Sequence, residues 1–249
     1  MSQKVIAVAT SAGSAGKTTV ATHCLHPRLE NPRMMAVDTA NITAAHFGIP
    51  TEVFGGNEFN RLFAEIMNDT ESDIVIDVGG SKEGIEFISG MRQAKGQTDI
   101  SHFLVPAMPE FKDQDAAMKT IQLLLNQNVD PRKIKVVFVK YVRNVSDEFD
   151  HLLNGMTFKG IPVDLRASIE VTPLFDLLSA HGVSLSTMLA DKTDYKAKML
   201  TFPKGAPERD QCIDMRIAQG SAEEVDRNLQ QVFDALFPSE KLALKKGKG

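Results

Sequence analysis

The stretch VIAVATSAGSAGKTTVATHCL at residues 5–25 constrains this chain more than any other. An apolar, β-branched run leads into a loop of small residues, and Gly16-Lys17-Thr18-Thr19 then opens a segment of helical period. Small side chains at Gly13, Ser14, Ala15 and Gly16 let successive backbone N–H groups turn inward around one anion. The helix that follows adds its unpaired first-turn amides and the positive end of its dipole at the same point. Lys17 can reach β- and γ-phosphates as a point charge, the Thr18 hydroxyl can take a magnesium position, and Thr19 lies where an α-phosphate would pass. The ligand these residues call for is a nucleoside triphosphate with Mg2+. The full pattern GxxxxGK[ST] has glycine where this chain has Ser11. The competing reading is an ordinary small-residue turn with an exposed lysine; the order of strand, loop and helix favours the phosphate site.

Elsewhere, short β-branched runs alternate with longer segments of helical period, the pattern of βαβ units. Strands are predicted at 5–10, 34–38, 74–78, 103–107, 134–140 and 161–165. Several are near-continuous apolar runs, as in a sheet covered by helices on both faces. Helices are predicted at 17–25, 58–67, 83–94, 113–126, 147–153 and 172–180, the last with Pro173 suited to its first turn. The expected fold class is α/β, a doubly wound, mostly parallel sheet, with residues 1–240 forming one P-loop NTPase domain. Charges, prolines and a glycine without period predict a loop over 192–214. Helical period returns over 221–237, with Val225, Leu229, Val232, Phe233 and Leu236 on one stripe. That stripe suits core packing better than a membrane surface, because Glu223, Glu224, Asp226 and Asp234 on the polar face would be repelled by anionic lipid.

Composition narrows the function classes. With 43% apolar residues in 249, the chain can bury a large core, and its formal net charge of -4 argues against DNA binding driven by overall charge. Cys24 and Cys212 match neither zinc nor thioredoxin spacing, and no apolar stretch reaches the about 18 residues of a membrane span. A soluble, cytoplasmic protein is expected, with no membrane partner. Residues 241–249 carry Lys241, Lys245, Lys246 and Lys248 and are expected to form a disordered basic tail, solvated or touching DNA phosphates directly. His23, Cys24 and His26 sit close in sequence, but His23 and Cys24 cannot share a helix face, which disfavours a metal site.

Phosphoryl chemistry also asks for an acid near the magnesium at the end of a neighbouring strand. Asp77, in DIVIDVGG, fits that position, and the amide of Gly79 or Gly80 could sense a γ-phosphate. The alternative is an aspartate that caps the following turn. Asp38, ending MMAVD, is a second candidate with the same two readings. Phe111, Lys112 and Asp113, after Pro109, are expected on a loop at the same edge that could meet a partner.

Together these stretches resemble the deviant-Walker ATPases of the ParA/MinD type. In that family the loop reads KGGxGKT, with a lysine that crosses a nucleotide-sandwiched dimer; Ala12 stands at that position here. Asp38 matches the first acid of the family's DxDxQ motif, and Ala40 stands where the second belongs. An asparagine beside the base in such proteins corresponds to Val139. The stretches SAGSAGKTTVATHCLHPRL, SDIVIDVGGSKEGIEFISGMRQ, HFLVPAMPEFKDQDAAMKTIQLL and IKVVFVKYVRN, within residues 1–145, are similar to the StbB group of conjugative-plasmid stability proteins. The resemblance implies a ParA-like ATP-dependent switch in plasmid stability or transfer, with slow hydrolysis carried by Lys17 and Asp38. It implies a small plasmid-encoded DNA-binding protein as partner and a nucleotide-dependent homodimer. A scaffold that binds ATP without turning it over, and a small-molecule kinase, are the other classes compatible with the loop; no arginine-rich lid supports the kinase.

Overall fold

In strand β1 (Val5–Val8), Val5 and Ala7 belong to one hydrophobic cluster and Ile6 and Val8 to another. Strand β5 (His102–Ala107) repeats the division, with Phe103, Val105 and Ala107 against Leu104, as does β6 (Ile134–Tyr141), with Ile134, Val136 and Phe138 against Val137 and Val139. Successive strand residues point to opposite faces, so an unbroken apolar run needs a core on each side. The computed structural model, which describes residues 3–13, 15–37, 44–55 and 57–238, has this architecture. The other strands are β2 (Arg33–Val37), β3 (Thr51–Phe54), β4 (Ile74–Val78) and β7 (Ser168–Glu170). They form one sheet in the order β3-β2-β4-β1-β5-β6-β7, and every strand pairing is parallel.

Helices cover both faces. Helix α1 opens at Lys17–Thr19, continues as a π-helical stretch Val20–Leu25 and ends in a 3-10 turn, His26–Arg28. Then come α2 (Phe59–Asn68), α3 (Ser81–Ala94), α4 (Gly96–Asp99), α5 (Phe111–Asn126), α6 (Val145–Glu148) and α7 (Asp150–Phe158). The C-terminal part adds α8 (Leu174–Ala180), α9 (Leu185–Ala190), α10 (Tyr195–Met199) and α11 (Pro207–Leu236). Helices α2, α3, α5 and α7 bury their apolar faces in the first cluster, and α1, α8, α9, α10 and α11 in the second. The doubly wound, parallel α/β fold expected from the sequence is the fold observed.

Four segments differ from expectation. Residues 161–165 are not a strand: Val163 and Leu165 are exposed, and the backbone N–H groups of Arg166 and Ala167 donate to Asp164 Oδ1 (3.0 Å) and Asp164 O (3.0 Å) to make a turn. The chain joins the sheet only after that turn, as β7. Strand β3, a four-residue edge strand beside β2, was not predicted. The predicted loop at 192–214 is largely helical: the Asp194 carboxylate caps α10 at Ala197 N–H (3.0 Å), and Pro207 sits in the first turn of α11. Phe111, Lys112 and Asp113 likewise open α5 instead of lying on a loop. The terminal lysines 241–249 lie outside the described residues.

Helix α11 runs 30 residues, and Leu229, Val232, Phe233 and Leu236 are buried against the sheet. Among the described residues no helix is long and apolar enough to cross a membrane. Because Leu229 is 0% exposed and Ile217 on the same helix is 51% exposed, Leu229→Ala is expected to lower the unfolding free energy by about 2–5 kcal/mol. Ile217→Ala should stay within about 0.5 kcal/mol of wild type; urea titrations of the two variants check this.

Candidate functional site

Strand β1 is central, flanked by β4 and β5, and the loop that leaves it is bounded by both. The Ala9 N–H still bonds to Leu104 O (3.0 Å), and the chain then turns away from the sheet. Ser11 anchors the turn on α5: its N–H donates to Thr120 Oγ1 (2.9 Å) and its hydroxyl to Ala116 O (3.0 Å). A glycine there could make only the first bond, so the departure from the loop pattern supplies a side-chain tether. Helix α3 comes close to the same point, where a Cβ on Gly84 would stand 3.3 Å from Thr10 O.

Gly16 has φ +75 and ψ +20, a left-handed backbone that sharply redirects the chain into α1 and that side chains disfavour. The first backbone hydrogen bond of α1 is Val20 N–H to Gly16 O (2.9 Å), so the amides of Lys17, Thr18 and Thr19 precede it. Among the described residues, the amides of Gly13, Ala15 and Gly16 have no protein acceptor. The Lys17 side chain is buried and folds back on the loop, its ammonium donating to Ala12 O (2.7 Å) and Gly13 O (3.0 Å). With those two carbonyls directed at the lysine, the loop forms a ring that Lys17 closes. Ser14 lies outside the described residues.

The far end of α1 is held as firmly as its start. Pro27 cannot continue the helix, and the Arg28 guanidinium takes the freed carbonyls of His23 (3.0 Å) and Cys24 (3.2 Å). Arg28 also pairs with the Asp226 carboxylate (2.5 Å) and bonds to Asp226 O (2.9 Å), fastening α1 to α11. Burial pushes the Cys24 thiol up to about 12, with Arg28 opposing it, so this cysteine is a packing residue.

The loop opens into a cleft of about 370 Å³ at the carboxyl ends of the strands. One end is lined by Gly13, Gly16, Lys17, Thr18, Thr19, Asp77, Gly79 and Gly80. Thus five predicted positions around the loop and the β4 aspartate meet in one place. Asp77 is paired in register with Val8 of β1 and Ala36 of β2, and is buried beside the loop. Ala15 is wholly buried behind it. The Gly79 N–H is already given to Val37 O (3.0 Å), which leaves Gly80 as the better placed of the two glycines for a ligand. Asp38 and Ala40 lie outside the described residues, although β2 ends at Val37, directly before Asp38.

The rest of the lining includes Phe47, Val139, Ile169, Phe175 and Asp176, most of which carry no sequence signal. Phe47 comes from the β2–β3 connection and Phe175 from α8; both pack on His23, at ring separations of 4.8 Å and 5.5 Å. His23 is a buried support, its Nδ1 accepting Leu185 N–H at 3.4 Å. Burial holds its pKa down to about 4.

That displacement carries a pH dependence. Below about 6.5 the unfolded chain takes up a proton at residue 23 that the folded chain refuses until about 4, so stability falls as pH drops through this window. The loss from this group is roughly 2 kcal/mol at pH 5. His102, also held near 4 by burial and by Lys135, Lys133 and Lys4, acts in the same direction, so the comparison must be between variants. His23→Gln is expected to flatten the stability profile between pH 7 and 5 relative to wild type, as followed by denaturant unfolding; parallel profiles would contradict this.

Comparison with solved structures places the architecture. MinD cell division protein of Aquifex aeolicus aligns over 87% of this chain and 97% of its own, with 17% identity and a TM-score of 0.50. Apo McdA of Cyanothece aligns over 90% and 99%, with 14% identity and a TM-score of 0.50. The ATP complex of a Cyanothece McdA variant aligns over 92% and 96%, with 13% identity and a TM-score of 0.51. No protein-family model and no curated protein sequence matches the chain. At these identities the likeness is one of fold: the chain has the parallel, helix-covered sheet of MinD and McdA.

Proposed function

We propose that this chain binds a nucleoside triphosphate, ATP with magnesium, between β1 and α1 and uses it as a switch, with at most slow hydrolysis. The observation that carries the reading is the ring closed by Lys17, with the unclaimed amides of Gly13, Ala15 and Gly16 beside the first turn of α1. An anion seated there gives these amides an acceptor, which matters most at Ala15, the one of the three that is wholly buried. In the proposal Gly13 to Thr19, Ser14 included, cradle the phosphates, and Lys17 moves from the loop carbonyls to the β- and γ-phosphates.

The oxygen donors Thr18 and Asp77, both lining the cleft, suit magnesium, which is commonly held by one or two protein oxygens together with phosphates. When bound, the metal would neutralise charge on the phosphate oxygens. Asp77 also orients the β4 end, and Gly80 offers its amide to the terminal phosphate. The apolar walls Phe47, Val139, Ile169 and Phe175 suit a base. Support comes from the ATP complex of McdA, whose fold this chain shares.

Presence of the terminal phosphate would order the Gly79–Gly80 turn, and its loss would release it. The ordered form is the one expected to form a homodimer or to engage a small DNA-bound partner in the cytoplasm. Asp38 is the proposed acid for hydrolysis, slow because Ala40 replaces the second acid implied by the ParA/MinD resemblance. The similarity to the StbB group supports a role in plasmid stability or conjugative transfer.

Calorimetric titration with ATP, with and without magnesium, tests the reading. Lys17→Ala is expected to weaken ATP binding by at least about tenfold, the loss of a charge-assisted contact, while leaving the fold intact. Asp77→Asn should abolish the gain in affinity that magnesium gives to wild type. Equal ATP binding by wild type and Lys17→Ala would sink the proposal; phosphate release by wild type above the Lys17→Ala background separates a slow ATPase from a scaffold that never turns ATP over.

A further inference from the structure

Strand β6 pairs with β7 through Val139 with Ile169 and Tyr141 with Glu170, leaving Lys140 as the extra residue of a bulge. Its φ is +60, a left-handed conformation that a lysine does not favour by itself and that its surroundings must impose. Buried Val139 on one side and the hydrogen bond from Val171 N–H to Tyr141 O (2.9 Å) on the other hold it there. Lys140 lines the cleft, is exposed, and makes no ion pair or side-chain hydrogen bond among the described residues.

Among the described residues, the charges lining that cleft are Lys17 and Lys140 against Asp77, Glu170 and Asp176. Among these described residues acids outnumber bases around a site read as taking a polyanion, and without Lys140 a single described cation would face three carboxylates. Val139, the neighbour of Lys140, stands 3.7 Å from where a Cβ of Gly16 would be, so the bulge adjoins the phosphate loop itself. We propose that Lys140 is a second polyphosphate-binding cation, presented beside the loop by the β6 bulge. The proposal rests on the nucleotide reading above and adds a residue to it. The flexible four-carbon stem and compact ammonium suit contact with phosphate oxygens that lie beyond the reach of the loop amides.

Calorimetry with ATP and with inorganic tripolyphosphate, over a series of salt concentrations, tests it. Lys140→Ala and Lys140→Gly should each weaken both ligands by about tenfold at low salt and reduce the slope of affinity against salt. Lys140→Arg should stay close to wild type. The glycine variant suits the left-handed backbone and should melt no lower than wild type, so its loss of affinity reports the charge and not the bulge. Wild-type affinity or an unchanged salt slope in Lys140→Gly would overturn the proposal. If Lys17→Ala weakens both ligands and the Lys140 variants do not, this proposal alone fails. If wild type binds neither ligand, the nucleotide reading fails and takes this one with it.

Discussion

The ammonium of Lys17, held by the carbonyls of Ala12 and Gly13, is the contact on which the rest of the cleft depends. A lysine so deeply buried is tolerable only if its hydrogens are satisfied. The loop supplies the acceptors by turning its carbonyls toward Lys17. Three further features make that turn possible: the left-handed Gly16, the Ser11 tether to α5, and the position of β1 between β4 and β5. Arg28 then fixes the opposite end of α1 to α11, so the helix that presents its first-turn amides is anchored at both ends.

The cleft is a product of topology. Parallel strands place all their carboxyl ends on one edge, and the order reverses around β1, which lies between β4 and β5. Asp77 reaches the loop because β4 lies between β2 and β1. Ile169 and Phe175 reach the other end of the cleft because β7 joins β6 and α8 follows it. His23 connects these walls to α1, stacking on Phe175 and meeting Phe47 edge-on. A ligand seated at the loop therefore touches a wall that also rests on the loop's own helix.

What could be read from sequence was whatever had a local cause. Strands β1, β4, β5 and β6 are largely apolar runs buried on both faces, and the phosphate loop is contiguous. Strand β3 is an edge strand with a single neighbour and buries only Phe54, so little hydrophobic pattern marks it. At residues 161–165, apolar composition suggested a strand, but the Asp164 turn decided the backbone, and pairing began at Ser168. Residues 192–214 read as loop because α10 is short and the early turns of α11 expose much polar surface; tertiary packing of Tyr195, Cys212 and Met215 overrides that composition. Similarly, Phe47, Ile169, Phe175 and Asp176 carry no motif, and only the folded chain brings them to the loop. His23 shows the same limit: its neighbours in sequence raise the question of a metal, and its neighbours in space are two aromatic rings.

The central claim is that the amides of the β1–α1 loop form an anion cup closed by Lys17. Backbone amide NMR during titration with magnesium and ATP measures this most directly. The claim predicts large, saturable shifts at Gly13, Gly16, Lys17, Thr18 and Thr19, with slowed hydrogen exchange at those amides and little change at the amino ends of the strands. Loop amides that stay unshifted and exchange freely at saturating ATP would contradict it.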